Sequence, residues 1–308
     1  MVKDTYKLEE QEVDLRDVLN FICKGKWSIF ISGIVFALIA VLFAFTRADI
    51  YTSSTILAPN ESKNSGLLDG LSSQLGGVAS LAGINLNDSG SGQVNEGLEI
   101  LRSYQFISNF IEKFSYQDEL MAHTGWNKKE NTPIFDSDYI AAESKWLENE
   151  DGSSKEPSLQ EMFKYFKKNT LTISTEKTTG FITVSINHYS PIIAQQMLVN
   201  LVSELNSQMK IRDINEADKN IKFLEESIKN TNVSQVKGAI YNLIEQQLQK
   251  KMLANVRDEY VLKTLDPPIV VEKPSSPKRV LIIVVGAFIG MLFGFLFHSF
   301  KMFARTKN

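Results

Sequence analysis

Few residues in this 308-residue chain have the chemistry for catalysis. The three histidines, His123, His188 and His298, form neither an H-x-x-x-H nor an H-E-x-x-H pair, so the usual metal-ligand spacing is missing. His188 follows a predicted strand and precedes Ser190-Pro191, a place for a structural turn. His298 falls near the end of a long apolar run, an interfacial place. Glycoside hydrolysis needs two carboxyls at a set separation, and Glu225-Glu226 or Asp136 with Asp138 are the available pairs. The first sits on a predicted exposed helix face and the second in irregular chain, so neither is assigned a catalytic role. Gly76-Gly77 and Gly90-Ser91-Gly92 do not stand between a strand and a helix as a phosphate-binding glycine loop must. The single cysteine, Cys23, excludes an intrachain disulfide and a cysteine-based zinc site. The expectation is no catalytic residue, no metal and no cofactor.

The elements around these residues are dominated by two apolar blocks. Residues 27–45 and 280–300 contain no Asp, Glu, Lys or Arg. A helix rises about 1.5 Å per residue, so each block can cross a hydrocarbon layer of about 30 Å. The 26 residues before the first block are too many and too acidic for a signal-peptide n-region, and no A-x-A cleavage site follows Phe45, which predicts a retained anchor. Lys24 and Lys26 flank the first block, and Lys301, Arg305 and Lys307 follow the second, which places both tails in the cytoplasm and residues 46–279 outside it. That middle segment is mildly acidic within a chain of net charge −3, which excludes a nucleic-acid binder built on clustered Lys/Arg. The short tails predict that no kinase or signalling domain is attached, and no G-x-x-x-x-G-K-[ST] phosphate loop occurs.

Within the middle segment, residues 50–57 read as a strand and 60–93 as a flexible Gly/Ser/Asn-rich loop holding a small apolar patch at 78–82. Apolar residues at helical spacing predict a helix over about 94–114. Residues 115–156 show no regular pattern. Ser158-Leu159-Gln160-Glu161 is a capping box, and 171–175 with 181–187 form a β-hairpin about Thr179-Gly180. Ser190-Pro191 opens a helix of about 40 residues, uninterrupted by Gly or Pro until Lys229. Its stripe Ile214, Ala217, Ile221, Leu224, Ile228 has 3-4-3-4 spacing. Asn230 serves as a left-handed stop, and Asn232 to Gln235 offer a new cap. A second arm then runs to about Lys263 with Ile240, Ile244, Leu248, Met252, Val256 and Tyr260 along one edge. The stripe is either the core between the two arms or a seam between subunits. Lys210, Arg212, Lys219, Lys222 and Lys229 suit either an acidic glycan or, with Asp213, Glu216 and Asp218 interspersed, a solvated mixed face. Gly286, Gly290 and Gly294 make two overlapping G-x-x-x-G motifs, which would pack against the first span or a neighbouring subunit, with Ser32-Gly33 as a small-residue counterpart.

Several segments together resemble the Wzz-type polysaccharide chain-length determinants, also called polysaccharide co-polymerases. They are Val13 to Leu19 with Lys24-Gly25-Lys26-Trp27, Ser190-Pro191-Ile192-Ile193-Ala194, Phe223-Leu224-Glu225-Glu226, Leu243 to Gln247, Met252 to Tyr260, and the proline-rich Pro267, Pro268, Pro274, Pro277 before the second span. The prolines depart from an even P-x-x-P repeat across Ile269 to Lys273. The resemblance implies an α+β fold: two transmembrane helices flanking a periplasmic domain with a membrane-proximal α/β base and a long antiparallel helical hairpin. The expected divisions are a cytoplasmic tail (1–26), a first span (27–45), the base (46–189), the hairpin (190–265), the proline-rich return (266–279), a second span (280–300) and a second tail (301–308). It further implies an inner-membrane homo-oligomeric ring that works with a polysaccharide polymerase and the growing lipid-linked polysaccharide. Such a ring sets chain length without catalysis, in the kinase-free, O-antigen manner of lipopolysaccharide assembly. The competing readings are an adaptor of a capsule or exopolysaccharide export system and a membrane-anchored glycan hydrolase.

Overall fold

The structure, a computed structural model, describes residues 15–60 and 90–306. The start of the tail motif, Gly76-Gly77, the apolar patch at 78–82 and most of the 60–93 loop lie outside the described residues. Two compact units are present, Met1–Ala48 with Ser275–Asn308 and Asp49–Pro274.

The first unit is a pair of helices, α1 (Leu15–Thr46) and the last helix of the chain, α8 (Arg279–Thr306). Within them Lys26–Thr46 and Arg279–Phe300 are long and apolar enough to cross a membrane. Only 11% of each apolar window is buried, so neither is the core helix of a water-soluble domain. Trp27, Leu42, Phe297 and Phe300 are among the large apolar side chains that point outward, an arrangement stable only in an apolar surrounding.

The second unit is an α+β domain. Its sheet has four antiparallel strands in the order β6 (Leu171–Thr175), β7 (Ile182–His188), β1 (Tyr51–Pro59), β8 (Leu262–Asp266). Alternation along β1 and β7 sends Leu57, Ile182, Val184 and Ile186 to one face, where they meet Ala194, Met197, Leu198, Leu201 and Leu205 of the long helix α6 (Pro191–Lys229). The helices α2 (Gly90–Arg102) and α3 (Tyr104–Lys113) join the same core, with Phe110 ringed by Phe114, Tyr116 and Phe166. The single helix expected over 94–114 starts earlier and is broken at Ser103. That residue is extended (φ −74°, ψ 147°), and its side chain accepts from the Phe106 N–H as a fresh N-cap.

Residues 115–156, patternless in sequence, hold the short α4 (Gln117–Met121) and two small hairpins. These are β2 (His123–Asn127) with β3 (Thr132–Phe135), and β4 (Tyr139–Ile140) with β5 (Lys145–Trp146). The hairpins are too short for an alternation to register and are joined by the aromatic run Phe135, Tyr139, Trp146. The Ser158–Glu161 capping box opens α5 (Leu159–Tyr165), and Ser190 with Pro191 opens α6. The second arm, α7, is Ser234–Val256.

Candidate functional site

The four longest helices pack as two pairs, and no catalytic constellation is present among the described residues. In the first unit, α8 turns Gly286, Gly290 and Gly294 towards α1. A Cβ added at Gly286 would stand 2.5 Å from Ala40 Cβ. At Gly290 it would stand 2.7 Å from the Ser32 carbonyl oxygen and 3.0 Å from Gly33 Cα, and at Gly294 it would stand 2.8 Å from Ile29 Cα. The helices therefore touch backbone to backbone. Ser32 Oγ donates to the Gly290 carbonyl at 2.8 Å, and Phe36 stacks on Phe293 with ring centroids 5.5 Å apart. Within the chain, the partner of the glycine face is the first span.

In the second unit, α6 and α7 form an antiparallel hairpin. Ala217 and Leu224 of the heptad stripe are buried, while Ile214, Ile221 and Ile228 are half-buried. Leu224 packs with Ile240 and Leu243, with Ile228 and Ile244 at the margin. The stripe thus lines the contact between the arms. The edge expected on the second arm is corrected. Ile240 is buried, but Leu248, Met252 and Val256 are exposed, and the inward residues are Ile240, Leu243, Gln247 and Ala254. A strict step of four drifts about 40° per turn around a 3.6-residue helix, so an i, i+4, i+8 series leaves the contact.

The arm also ends sooner than expected, at Val256, and 262–266 is the edge strand β8 instead of hairpin. Asn206 makes this possible. Buried on α6, its Oδ1 accepts from Val261 N–H (2.8 Å) and Leu262 N–H (3.0 Å), while its Nδ2 donates to the Leu262 carbonyl (3.0 Å). Two further expectations at the hairpin tip fail: Asn230 is not left-handed (φ −92°), and the N-cap of α7 is Val233, with no side-chain hydrogen bond.

Asp213, read in sequence as part of a solvated face, is buried. It accepts from Tyr260 Oη (2.6 Å) and Gln93 Nε2 (3.1 Å), with Lys250 Nζ at 3.7 Å. Burial first, and then this bond to a carboxylate, push the Tyr260 phenol well above its usual range. Glu204, also buried, takes Lys113 Nζ at 2.6 Å. Asn206 and Asp213 lie seven residues apart on the inward face, the only sequence signal that could have marked them. Of the basic residues, Lys210 donates to the Asn255 and Arg257 carbonyls at the end of α7, and Arg212 pairs with Glu96 at 2.5 Å. Lys219, Lys222 and Lys229 are exposed.

The proline-rich return is strapped through its carbonyls, since prolines bring no N–H. Thr55 Oγ1 donates to Asp266 O (2.6 Å), Gln195 Nε2 to Pro268 O (3.3 Å), Ser53 Oγ to Ile269 O (3.0 Å) and Lys128 Nζ to Glu272 O (2.8 Å). Pro267, Pro268, Pro274 and Pro277 all fall between β8 and α8.

The candidate chemical groups are placed structurally. Glu225 and Glu226 are exposed on α6; Asp136 accepts from the Asp138 N–H, and Asp138 pairs with Lys155. His298 lies on α8. His123 and His188 meet edge to face, ring centroids 5.5 Å apart, both buried. His188 Nδ1 accepts from Ser190 N–H, so Nε2 carries the proton and donates to Glu119 O. Burial, then the neighbouring His188, hold His123 down at about 4.

Residues 11–115 match the family model described as Wzz, chain length determinant protein. The match spans about a third of the chain. Two solved structures are similar to this chain. A full-length bacterial polysaccharide co-polymerase is 14% identical at a TM-score of 0.40, covering 96% of this chain and 99% of the other. A fragment of WzzB, a polysaccharide co-polymerase from Salmonella Typhimurium, is 16% identical at a TM-score of 0.29, covering 74% of this chain and 100% of the other. At these scores neither adds to the fold already described. Comparison with curated proteins by sequence finds no match.

Proposed function

We propose that this Wzz-type chain is a two-pass inner-membrane regulator of surface-polysaccharide chain length, with both termini cytoplasmic and residues 46–279 periplasmic. It acts without catalysis as a homo-oligomeric scaffold beside the polymerase and the growing lipid-linked chain, and the polymer is the O-antigen of lipopolysaccharide. The observation that carries the reading is the Wzz match over residues 11–115. The two membrane-length helices support it. The glycine face of α8 packs the spans, and the α6 stripe closes the hairpin.

The test is a deletion strain whose surface polysaccharide is resolved by gel. The expected result is a changed length distribution with polymer still present. Loss of all polymer would instead assign the chain to an export adaptor, and turnover of glycan by the purified protein would make it a hydrolase. Tags at either terminus should resist protease in intact spheroplasts, and cleavage there would invert the topology.

A further inference from the structure

The helix α7 has two apolar faces, and among the described residues only one is packed against the rest of the chain. Ile240, Leu243, Gln247 and Ala254 are turned inward against α6. On another side Tyr241, Leu248, Met252 and Val256 are 59, 45, 66 and 82% exposed. At 100° per residue these four fall within an arc of about 80°, a stripe and not a scatter. On the outer side of α6 lies a shallow groove of about 560 Å³ lined by Gln208, Ile211, Arg212, Asn215, Glu216 and Lys219, with Ile211 55% exposed.

The bonds between the arms set the level of each residue along the hairpin. Asn220 Nδ2 donates to Gln247 Oε1, and Lys251 Nζ donates to Asp218 Oδ1. Counting away from the 220/247 level, Ile211 stands level with Val256, Asn215 with Met252, Lys219 with Leu248 and Lys222 with Glu245. A second copy beside the first, related by rotation about an axis along the hairpin, brings its α6 antiparallel to the first copy's α7 at equal height. Val256 and Met252 then meet the groove at Ile211 and Asn215. Leu248 lies under the methylene stem of Lys219, and exposed Glu245 faces exposed Lys222. At this one register Val256 meets Ile211, the apolar residue of the groove lining, and the charges of Glu245 and Lys222 are opposite.

We propose that the α7 outer stripe of one copy docks in the α6 groove of the next, with Glu245 and Lys222 as its register pair. This is a head-to-tail contact, so it repeats from copy to copy. It rests on the self-assembly in the proposed function and moves the seam from the Ile214–Ile228 stripe, which the hairpin consumes, to these outer faces.

The experiment uses the full chain in detergent with Cys23→Ser. Chains carrying Met252→Cys and Asn215→Cys under different tags are coexpressed and oxidised, and a covalent pair bearing both tags is expected. Separately, K222E and E245K should each weaken self-association about tenfold by light scattering, and the double charge swap should restore it. A wild-type chain that is monomeric throughout sinks the self-assembly reading itself. A wild-type oligomer with no covalent pair, unmoved by either swap, overturns only the assignment of faces. If the covalent pair is absent and added soluble polysaccharide shields the thiol of the Met252→Cys chain from a maleimide, the stripe belongs to glycan and the proposal falls.

Discussion

The two helix pairs of this molecule solve the same problem with opposite materials. α1 and α8 meet through glycine and serine, with carbonyl oxygens and Cα atoms of one helix where side chains of the other would be. α6 and α7 meet through Leu224, Ile240 and Leu243 and are fixed lower down by Asn206 and Asp213. The surroundings explain the difference. In water, burying leucine is favourable by itself, by about 25 cal/mol per Å² of apolar surface. In hydrocarbon that gain vanishes, and only close fit and hydrogen bonds hold helices together. The polar bond in the first pair, Ser32 to Gly290, tops up a close fit. The polar bonds in the second pair decide where the arm stops.

The sharpest way to break the first contact is to fill it. Replacing Gly286, Gly290 and Gly294 together by leucine keeps the span apolar, so the protein should still insert. Yet each new Cβ would sit 2.5–2.9 Å from α1 atoms, inside any real contact distance. The expected outcome is separation of α1 from α8 and poorly controlled polysaccharide length at normal protein level. Unchanged length control would leave these glycines as ordinary membrane-helix composition.

The second contact should be most sensitive at its polar latch. Asn206→Ala strands two buried N–H groups and a carbonyl at the start of β8, and it should cost about 3 kcal/mol in urea unfolding of the full chain. Truncating Leu224 at the upper cluster should cost less, about 2 kcal/mol, because a hairpin near solvent can collapse on the gap. If the two costs are reversed, the arm is held by its apolar tip and not by its base.

Sequence carried the apolar face of the first arm and of the spans, but put Leu248, Met252 and Val256 of the second arm on the wrong face. The spans, the glycine triplet, the Ser190-Pro191 cap and the α6 stripe are all periodic or local signals. What it missed is long-range and polar. Asn206 acts on residues 55 and 56 positions away, and Asp213 is reached by Gln93 from 120 positions away. Beyond their seven-residue spacing, nothing nearby in the sequence announces either. The two small hairpins of 123–146 failed for another reason: two to five residues per strand are too few for an alternation, and their order comes from stacked aromatics.

Proton concentration should act on the base of the second unit. His123 is buried with Nδ1 unpartnered, facing His188 of β7 and Phe135 of β3, with Asp118 and Glu119 of α4 nearby. Its folded value near 4 lies below the unfolded 6.5, so the unfolded chain binds the extra proton between them. Stability is therefore full above pH 6.5 and falls towards pH 4, by on the order of 2–3 kcal/mol. Burial also lowers His188, in the same sense, whereas it raises Glu119, which offsets part of the loss. His123→Gln should flatten the profile of urea midpoint against pH. A slope equal to wild type would place the titration elsewhere.

The smallest expected effect turns the glycine comparison around. Gly290 has no room for a methyl group, but an added Cβ at Gly238 on α7 meets nothing within 4 Å. There glycine contributes only the entropy it loses on becoming helical. Gly238→Ala should therefore stabilise the full chain by up to about 1 kcal/mol, with no change in polysaccharide length. The measurement is a rise in urea midpoint at unchanged slope. A fall would mean that a neighbour, such as a second copy, approaches α7 at that position, and that its glycine is a contact of the same kind as those on α8.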